Sequence, residues 1–376
     1  MYIGNAKGSN GVINYGLSSL DEQYAQMRKY PRGLNDLTLN NVMDLIASIE
    51  KTDTSESLLT FDGGVDLSGT NKWVGGVLAP NGKIYGIPRD STSVLCIDPS
   101  DNSITTFGSL SGTDKWLGGV LAPNGKIYGI PYNSTTILCI DPSDNSITTF
   151  GSLSGIEKWY GGVLAPNGKI YGIPHNSTSI LCIDPSDNSV TTFGSLSGTY
   201  KWTGGVLAPN GKIYGIPNNS TTVLCIDPSD NSVTTFGSLI GGAKWLGGVL
   251  APNGKIYGIP RDSTTVLCID PSDNSVTTFG SLSGTYKWTG GVLAPNGKIY
   301  GIPHNSTSIL CIDPSDNSVT TFGSLIGTVK WLGGVLAPNG KIYGIPRDST
   351  SILEISGIGS MSSAKNALTH PFINKL

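Results

Sequence analysis

The sequence predicts an all-β protein, a seven-bladed β-propeller of four-stranded antiparallel blades. The first observation is a strict 43-residue spacing of all seven tryptophans, which are Trp73, Trp116, Trp159, Trp202, Trp245, Trp288 and Trp331. The second is that each copy contains four short strand-like segments separated by turn signals. The third is that the last copy is incomplete, while the segment before the first copy supplies the missing part. Four strands in about 40 to 45 residues, repeated several times, are typical of propeller blades.

The copy that begins at Trp73 illustrates the four strands. Residues 73–79 (WVGGVLA) and 83–88 (KIYGIP) flank a Pro-Asn-Gly segment, which is a signal for a tight hairpin. Residues 93–98 (SVLCID) and 103–108 (SITTFG) flank a polar turn that begins with Asp-Pro. Each copy is therefore predicted to form a four-stranded meander.

Two glycines in the first strand of each copy are expected to have a structural reason. In the first copy they are Gly75 and Gly76. The innermost strands of a propeller converge on its axis, where large side chains would clash. We therefore predict that the first strand of each copy is the innermost strand.

The two ends of the repeat array are predicted to close the ring. The last copy stops after its third strand, residues 352–355, with no fourth strand following. Residues 58–61 (LLTF), which precede the first tryptophan, resemble an isolated fourth strand. This N-terminal strand is expected to complete the final blade and so to remove two unpaired sheet edges.

The flanking segments do not repeat. Residues 1–56 are predicted to form a small helical attachment segment, with helices over about 19–29 and 37–50. These helices are expected to pack on the propeller, on their own copies in a homo-oligomer, or on a larger assembly. Residues 57–356 form the predicted propeller, and 357–376 a docked C-terminal tail.

Composition excludes several classes of protein. Hydrophobic residues make up 38% and charged residues 14% of the chain, and the formal net charge is -3, so nothing indicates a nucleic-acid partner. Neither a signal peptide nor a membrane span is visible, which predicts cytoplasmic synthesis. The six cysteines occupy one equivalent position in six copies, too far apart to be bridged, and are predicted to be buried thiols in a reducing compartment.

Differences between the copies fall on one face of the predicted propeller. The loops APNGK and DPSDNS are the same wherever they occur, and strand parity places both on one face, the constant face. The opposite, variable face carries the residue that follows each Ile-Pro, a set that we call the axial ring. Its members are Arg89, Tyr132, His175, Asn218, Arg261, His304 and Arg347. Seven lysines that precede the tryptophans also map to this face and predict an excess of positive charge there.

The axial ring supports two interpretations. In one, the constant loops are held by turn chemistry and the other loops drift. In the other, the axial ring binds a ligand, because aromatic, His, Arg and Asn side chains suit polar, sugar-like or carboxylated groups. The predicted ligand-binding residues are accordingly the seven members of the ring.

No enzyme, cofactor or metal site is predicted. The histidines lack the spacing of a metal site or a catalytic triad. The DPSDNS loop lacks the glycine and the terminal glutamate of a calcium loop. We therefore expect a non-catalytic protein.

The repeated unit GGVLAPNGKIYGIP followed by VLCIDP resembles the repeats of the streptogramin-lyase-like and NHL-like propeller superfamily. The resemblance covers residues 58–356 and implies the propeller fold, which hosts lyases, lactonases and binding platforms. The His-centred metal site of those lyases has no equivalent here. The opening MYIGN resembles the start of many phage tail-fibre proteins, which implies an attachment segment followed by a recognition domain.

Three functional hypotheses follow. The leading one is a non-catalytic recognition or structural module, a virion or tail-fibre-type component that binds a host surface or an anionic glycan through its variable face. In this hypothesis residues 1–56 attach the module to a protein assembly. The second is an intracellular scaffold that binds protein, and the third is a lyase or hydrolase that depends on His175 or His304.

Overall fold

The computed structural model describes residues 55–359, which form seven four-stranded antiparallel sheets. The sheets are arranged as the blades of a closed ring, since each innermost strand contacts those of both neighbouring blades, including the last with the first. The prediction of a seven-bladed β-propeller is confirmed. The two helices predicted before residue 51 and most of the C-terminal tail lie outside the described residues.

The strands occupy equivalent positions in every blade. The innermost strands are β2 (Trp73–Leu78), β6 (Trp116–Leu121), β10 (Trp159–Leu164), β14 (Trp202–Leu207), β18 (Trp245–Leu250), β22 (Trp288–Leu293) and β26 (Trp331–Leu336). The second strands are β3 (Ile84–Pro88), β7 (Ile127–Pro131), β11 (Ile170–Pro174), β15 (Ile213–Pro217), β19 (Ile256–Pro260), β23 (Ile299–Pro303) and β27 (Ile342–Pro346). The third strands are β4 (Val94–Asp98), β8 (Ile137–Asp141), β12 (Ile180–Asp184), β16 (Val223–Asp227), β20 (Val266–Asp270), β24 (Ile309–Asp313) and β28 (Ile352–Ser356). The outermost strands are β5 (Ser103–Phe107), β9 (Ser146–Phe150), β13 (Ser189–Phe193), β17 (Ser232–Phe236), β21 (Ser275–Phe279), β25 (Ser318–Phe322) and, for the seventh blade, β1 (Ser57–Phe61).

The N-terminal strand closes the ring as predicted. β1 pairs antiparallel with β28, and the register places Phe61 opposite Ile352 and Ser57 opposite Ser356. The Phe61 ring packs edge-on against Tyr343 of the same blade, with 6.2 Å between ring centroids. The seventh blade therefore joins the N-terminal and C-terminal parts of the propeller in one sheet.

The two adjacent glycines of the innermost strand are required for two different structural reasons. Gly75 adopts a φ of 74° beside a β-bulge in β2, a backbone conformation that L-residues other than glycine rarely adopt. A Cβ on Gly76 would lie 2.7 Å from Cδ1 of Ile345 in the neighbouring blade. The expected crowding is therefore real, but it comes from the close packing of adjacent blades rather than from the axis itself.

The hydrophobic core consists of wedges between adjacent blades. In one wedge Trp116 packs with Val77 and Tyr85 of the preceding blade and with Ile127 of its own. The indole Nε1 of Trp116 donates a hydrogen bond of 2.8 Å to the Thr136 carbonyl, which satisfies its one polar group. All six cysteines are free and buried in such wedges, as predicted, and burial raises the pKa of each thiol.

On the constant face, identical side chains join each blade to the next. Asn81 Nδ2 donates to Tyr85 Oη at 2.9 Å and to the Pro142 carbonyl of the next blade at 3.0 Å. Tyr85 Oη in turn donates to Asn145 Oδ1 at 3.0 Å. This explains why the APNGK and DPSDNS loops are invariant, because each supplies one side of a hydrogen-bonded joint between blades.

The seventh blade replaces parts of this pattern. Its third strand carries Glu354 where the other blades have cysteine, and this buried carboxylate lies 2.8 Å from Lys341 Nζ. Because the blade lacks a DPSDNS loop, Tyr300 of the sixth blade donates instead to Glu56 Oε1, at 2.6 Å. The backbone N–H of Asn296 donates to the Ile358 carbonyl at the start of the C-terminal tail. The closing blade therefore uses its own set of polar contacts.

Candidate functional site

The seven lysines on the variable face are buried, so the positive charge predicted for this face does not lie on exposed lysine side chains. Each side chain is only 2–4% exposed. Lys201 is representative, because its Nζ donates to the carbonyls of His175, Ser177 and Gly198 at 2.9–3.0 Å. Two of these carbonyls belong to the preceding blade. The lysines therefore join the blades on this face, as the asparagine–tyrosine joints do on the other.

Burial also changes the protonation equilibrium of these lysines. Loss of solvent lowers the pKa of Lys158, Lys201, Lys244 and Lys330 to about 8. Most of the ammonium groups also lie over the ring of the following tryptophan, as Lys158 does at 6.0 Å from the centroid of Trp159. Three carbonyl acceptors and an aromatic face thus surround a cation that does not reach the solvent.

The residue after each axial-ring member has a structural role. Asp90 Oδ1 accepts a hydrogen bond of 2.6 Å from the backbone N–H of Asp114, and Asn133 Oδ1 accepts one of 2.7 Å from Glu157. The donating N–H groups belong to residues with φ near 50°, in the left-handed region. Since aspartate and asparagine both offer an Oδ1 acceptor, either fits this position.

The choice between aspartate and asparagine follows the charge of the preceding residue. Each of the three arginines of the axial ring is followed by aspartate, and each of the other four residues by asparagine. The axial ring therefore presents guanidinium groups while each Arg-Asp pair remains neutral. Guanidinium geometry, rather than net charge, distinguishes these three blades from the other four.

The structure brings the axial ring together around one end of the propeller axis but buries its members unequally. Tyr132, His175, Asn218 and His304 are 2–8% exposed. Arg89, Arg261 and Arg347 are partly exposed. The three arginines are therefore the predicted ligand residues that remain most accessible to a partner.

Beneath the axial ring, a plug of side chains that directly follow the tryptophans fills the axis. Val74, Leu117, Leu246 and Leu332 form one buried cluster with Tyr132, and Tyr160 packs against it. These residues come from different blades around the ring, so they meet only where the innermost strands converge. Side chains from several blades share this limited space, where close packing constrains their sizes. Part of the variation between copies is therefore explained by packing, which sequence reasoning missed.

The arginines form a basic sector on one side of the axis, in the first, fifth and seventh blades. Arg347 donates from Nη1 to His304 Nε2 at 2.7 Å and from Nη2 to Asn71 Oδ1 at 2.6 Å. Arg89 Nε donates to Asp114 Oδ1 at 2.6 Å. The Arg261 guanidinium lies over the Tyr286 ring, 3.9 Å from its centroid.

The positive charges of the basic sector affect the pKa of a side chain at the axis. Burial raises the pKa of the Tyr160 phenol, and Arg89, Arg347 and Arg261 all oppose that rise. Burial and the charge of Arg89 together lower the pKa of Arg347. The three guanidinium groups therefore share one electrostatic environment although they come from different blades.

Across the axis, the second to fourth blades form an aromatic sector of Tyr132, Tyr160, His175 and Tyr200. Ring centroids lie 5.8 Å from His175 to Tyr132, 5.6 Å to Tyr160 and 4.9 Å to Tyr200. Tyr160 and Tyr200 were not among the predicted site residues. A comparison of the residue after each tryptophan would have singled out Tyr160, the only aromatic residue at that position.

The two axial histidines are expected to lower stability at acid pH. Burial, aided by Lys201 and Arg261, lowers the pKa of His175 to about 4, whereas an unfolded histidine titrates near 6.5. Between these values the unfolded state binds the proton and the native state does not, so stability falls as the pH drops from about 6.5 to 4. His175→Asn, which installs the residue found naturally at position 218, should reduce this acid loss by about 3 kcal/mol. Chemical denaturation at pH 7 and pH 4 measures it, and parallel pH profiles for the two proteins would contradict it.

Residues 55–359 have neither a candidate metal-binding cluster nor a candidate membrane-spanning helix. No group of three or more His, Cys, Asp or Glu side chains in that range is arranged to hold a metal ion. No helix in the same range has the length and apolar character to cross a membrane.

Fold and site together define a repetitive seven-bladed β-propeller with a side-chain cluster at one end of its axis. Residues 76–227 and 205–369 match a repeat of unknown function, DUF6923. The matched range covers most of the chain, and the protein belongs to this repeat family. No curated protein matches the sequence.

Solved structures share the propeller fold at low sequence identity. Virginiamycin B lyase from Staphylococcus aureus superimposes with a TM-score of 0.70 at 15% identity, covering 80% of this chain and 99% of that one. A streptogramin B lyase gives 0.69 at 13% identity, covering 80% and 97%. The extracellular domain of a putative hybrid two-component system from B. thetaiotaomicron gives 0.59 at 12% identity, covering 77% and 40%. The similarity to streptogramin-lyase-like propellers inferred from the repeat is confirmed at the level of fold, and these neighbours include both lyases and the extracellular domain of a putative two-component system.

Proposed function

We propose that this protein is a non-catalytic recognition module that binds an acidic group of a partner, such as an anionic glycan on a cell surface, at its axial ring. Arg89, Arg261 and Arg347 are the residues proposed to hold that group. The observation that carries the proposal is the convergence of three partly exposed guanidinium groups on one axis, from blades that are otherwise almost identical.

Arg261 is the strongest anchor in this proposal. Its guanidinium stacks on Tyr286, and within residues 55–359 its side chain makes no hydrogen bond or ion pair. A guanidinium offers five donors in a planar fork that matches a carboxylate or sulfate. The aromatic support fixes the plane of the group and leaves its donors for a ligand.

Catalysis is the weaker alternative because the axial histidines are poorly placed for proton transfer. His304 Nε2 accepts a hydrogen bond from Arg347, and burial lowers the pKa of His304, as it does that of His175, to about 4. At neutral pH both rings are uncharged, so neither carries the extra proton of a general acid, and a pKa this low makes each a weak base. This favours binding over catalysis as the proposed role of the axial ring.

The proposal extends to the biological context. We propose that residues 1–56 attach the propeller to a larger assembly, of the virion or tail-fibre type, or to further copies of the chain, after synthesis in the cytoplasm. The order of a non-repeating segment followed by the repeats supports this extension.

The test exchanges Arg-Asp for Asn-Asn in all three blades of the full-length protein, at positions 89–90, 261–262 and 347–348. The fourth blade carries Asn-Asn naturally, so the backbone contact of the second residue is retained and the net charge is unchanged. Affinity for acidic glycans on an array should fall about 100-fold. The control exchanges Lys126 and Asp141, an exposed ion pair of the constant face, for asparagine and should bind normally. Full binding by the triple exchange would rule out the assignment.

A further inference from the structure

The proposed function leaves one buried polar atom unexplained. His175 Nδ1 has no hydrogen-bond partner within the described residues, and the His175 side chain is only 5% exposed. A buried polar atom without a partner is unfavourable, so native proteins rarely retain one without a reason. The atom lies inside the aromatic sector, beside three tyrosine rings.

His304 shows what a completed arrangement at the same repeat position looks like. Its Nδ1 lies 3.1 Å from Asn305 Oδ1, and its Nε2 accepts from Arg347 of the next blade. The next blade supplies Asn218 to His175 instead, and Asn218 Nδ2 is directed to the Trp245 carbonyl at 3.5 Å. His175 therefore lacks the partners that satisfy its counterpart.

The amide that could have served His175 is already engaged. Asn176 Nδ2 donates to Glu157 Oε2 at 2.8 Å, and Asn176 Oδ1 accepts from the backbone N–H of Tyr200 at 2.6 Å. Asn305 Oδ1 accepts the equivalent backbone N–H, from Val329, and still lies 3.1 Å from His304 Nδ1, so the bond to Glu157 is the contact that sets Asn176 apart. The structure therefore leaves this atom available to a partner from outside residues 55–359.

The surroundings of His175 specify the chemistry of that partner. The Tyr132 and Tyr160 hydroxyls have no hydrogen bond within the part of the chain that the structure describes, and burial keeps both phenols protonated by raising their pKa. Tyr200 stands at the surface with 39% of its side chain exposed, edge-on to the imidazole. Aromatic faces next to unused hydroxyls and an imidazole nitrogen suit a ligand with an apolar face and several hydroxyl groups, which describes a sugar ring.

We propose that the aromatic sector is a sugar-ring subsite, so that the ligand of the proposed function is an acidic saccharide lying across the axis. The sugar ring contacts Tyr200 and hydrogen-bonds at His175, while its acidic group binds Arg261 and Arg347. This inference rests on the proposed function. Tyr160 lies at the boundary, since it contacts His175 and is influenced by all three arginines.

The experiment titrates the full-length protein with glucuronic acid, N-acetylneuraminic acid, glucose and inorganic sulfate. We expect at least one acidic sugar to bind about tenfold or more tightly than sulfate, because only the sugar reaches both sectors, and glucose to bind weakly. Two variants carry residues that other copies use at the same positions: Tyr200→Ala, as at position 243, and His175→Asn, as at position 218.

Each variant should weaken binding of the acidic sugar about tenfold and leave sulfate binding unchanged. Ile240→Ser, which restores the serine of other copies at a 91% exposed position of the same face, is the control and should change neither. Equal affinity for the sugars and sulfate, with Tyr200→Ala and His175→Asn inert but the Arg-Asp exchange disruptive, would overturn the subsite and keep the proposed function. Binding that ignores the Arg-Asp exchange, or no binding of either acidic sugar, would overturn both.

Discussion

Lys201→Met is expected to lower the free energy of unfolding by about 3 kcal/mol. Methionine keeps most of the side-chain volume but removes the ammonium that bonds the carbonyls of His175, Ser177 and Gly198. Those carbonyls lose their donor at a site that is almost inaccessible to water, since Lys201 is 2% exposed. Equilibrium denaturation of the two proteins gives the difference directly.

The same blade provides the control for this substitution. Lys212 lies on the constant face, 42% exposed, with its Nζ 3.3 Å from Asp227. Exposed ion pairs contribute at most about 1 kcal/mol, so Lys212→Met should be nearly neutral. Comparable losses for the two variants would mean that the buried lysines do not hold adjacent blades together.

Opening the ring at its closing strand should have an equally large effect. Leu58 and Phe61 of β1 direct their side chains to the two wedges beside the seventh blade. The double variant Leu58→Ser and Phe61→Ser should release β1 and expose the edge of β28, lowering the melting temperature and promoting aggregation. Hydrogen exchange should accelerate first in β26, β27 and β28.

A matched double variant separates ring closure from simple loss of apolar contact. Val233 and Phe236 are the equivalent residues of β17 in the fourth blade and pack against the corresponding wedges. Substituting both by serine should cost about 3 kcal/mol, yet faster exchange should stay within that blade, because the chain continues into blades on both sides. If both double variants unfold alike, the N-terminal strand has no special role in closure.

The sequence was sufficient to predict the β-strand framework because the same four strands are repeated in every blade. The four strands of the first blade were predicted to within one residue at each end, since turn signals bound them at fixed intervals. Ring closure was also predictable, because the absence of a fourth strand after Ile355 matched the isolated strand at Leu58. Repetition thus substitutes for an alignment of related proteins.

The burial of the seven lysines was not predicted, because it depends on contacts between blades. A lysine in a polar loop resembles a surface charge, and three carbonyls from two blades converge on it only in the folded ring. One signal was present in the sequence. The lysine is the same in all seven copies, whereas the residue before it, from Asn71 to Val329, differs between copies except that two of them have tyrosine. Such invariance matches that of the buried tryptophans.

The sequence predicted that the axial ring lies on one face, but it did not predict the separation into a basic sector and an aromatic sector. Whether Tyr132, His175 and Arg261 point into a plug or toward a partner depends on side-chain directions at the axis, where seven blades compete for the same space. The two sectors arise from the order of blades around the ring. The order of the blades follows directly from the sequence. The contact between Tyr160 and His175 could be recognised only in the folded structure.

Because the joints between blades are the same, most of the repeats are structurally interchangeable. An internal blade offers the same asparagine–tyrosine pair to one neighbour and the same lysine to the other, so its position in the series is not encoded in its joints. Recombination between copies can therefore exchange internal blades without changing the joints between them. Only the closing blade, with Glu354 and the N-terminal strand, is tied to its place. Recombination within the gene can thus change the set of side chains at the axis by using residues that other copies already carry.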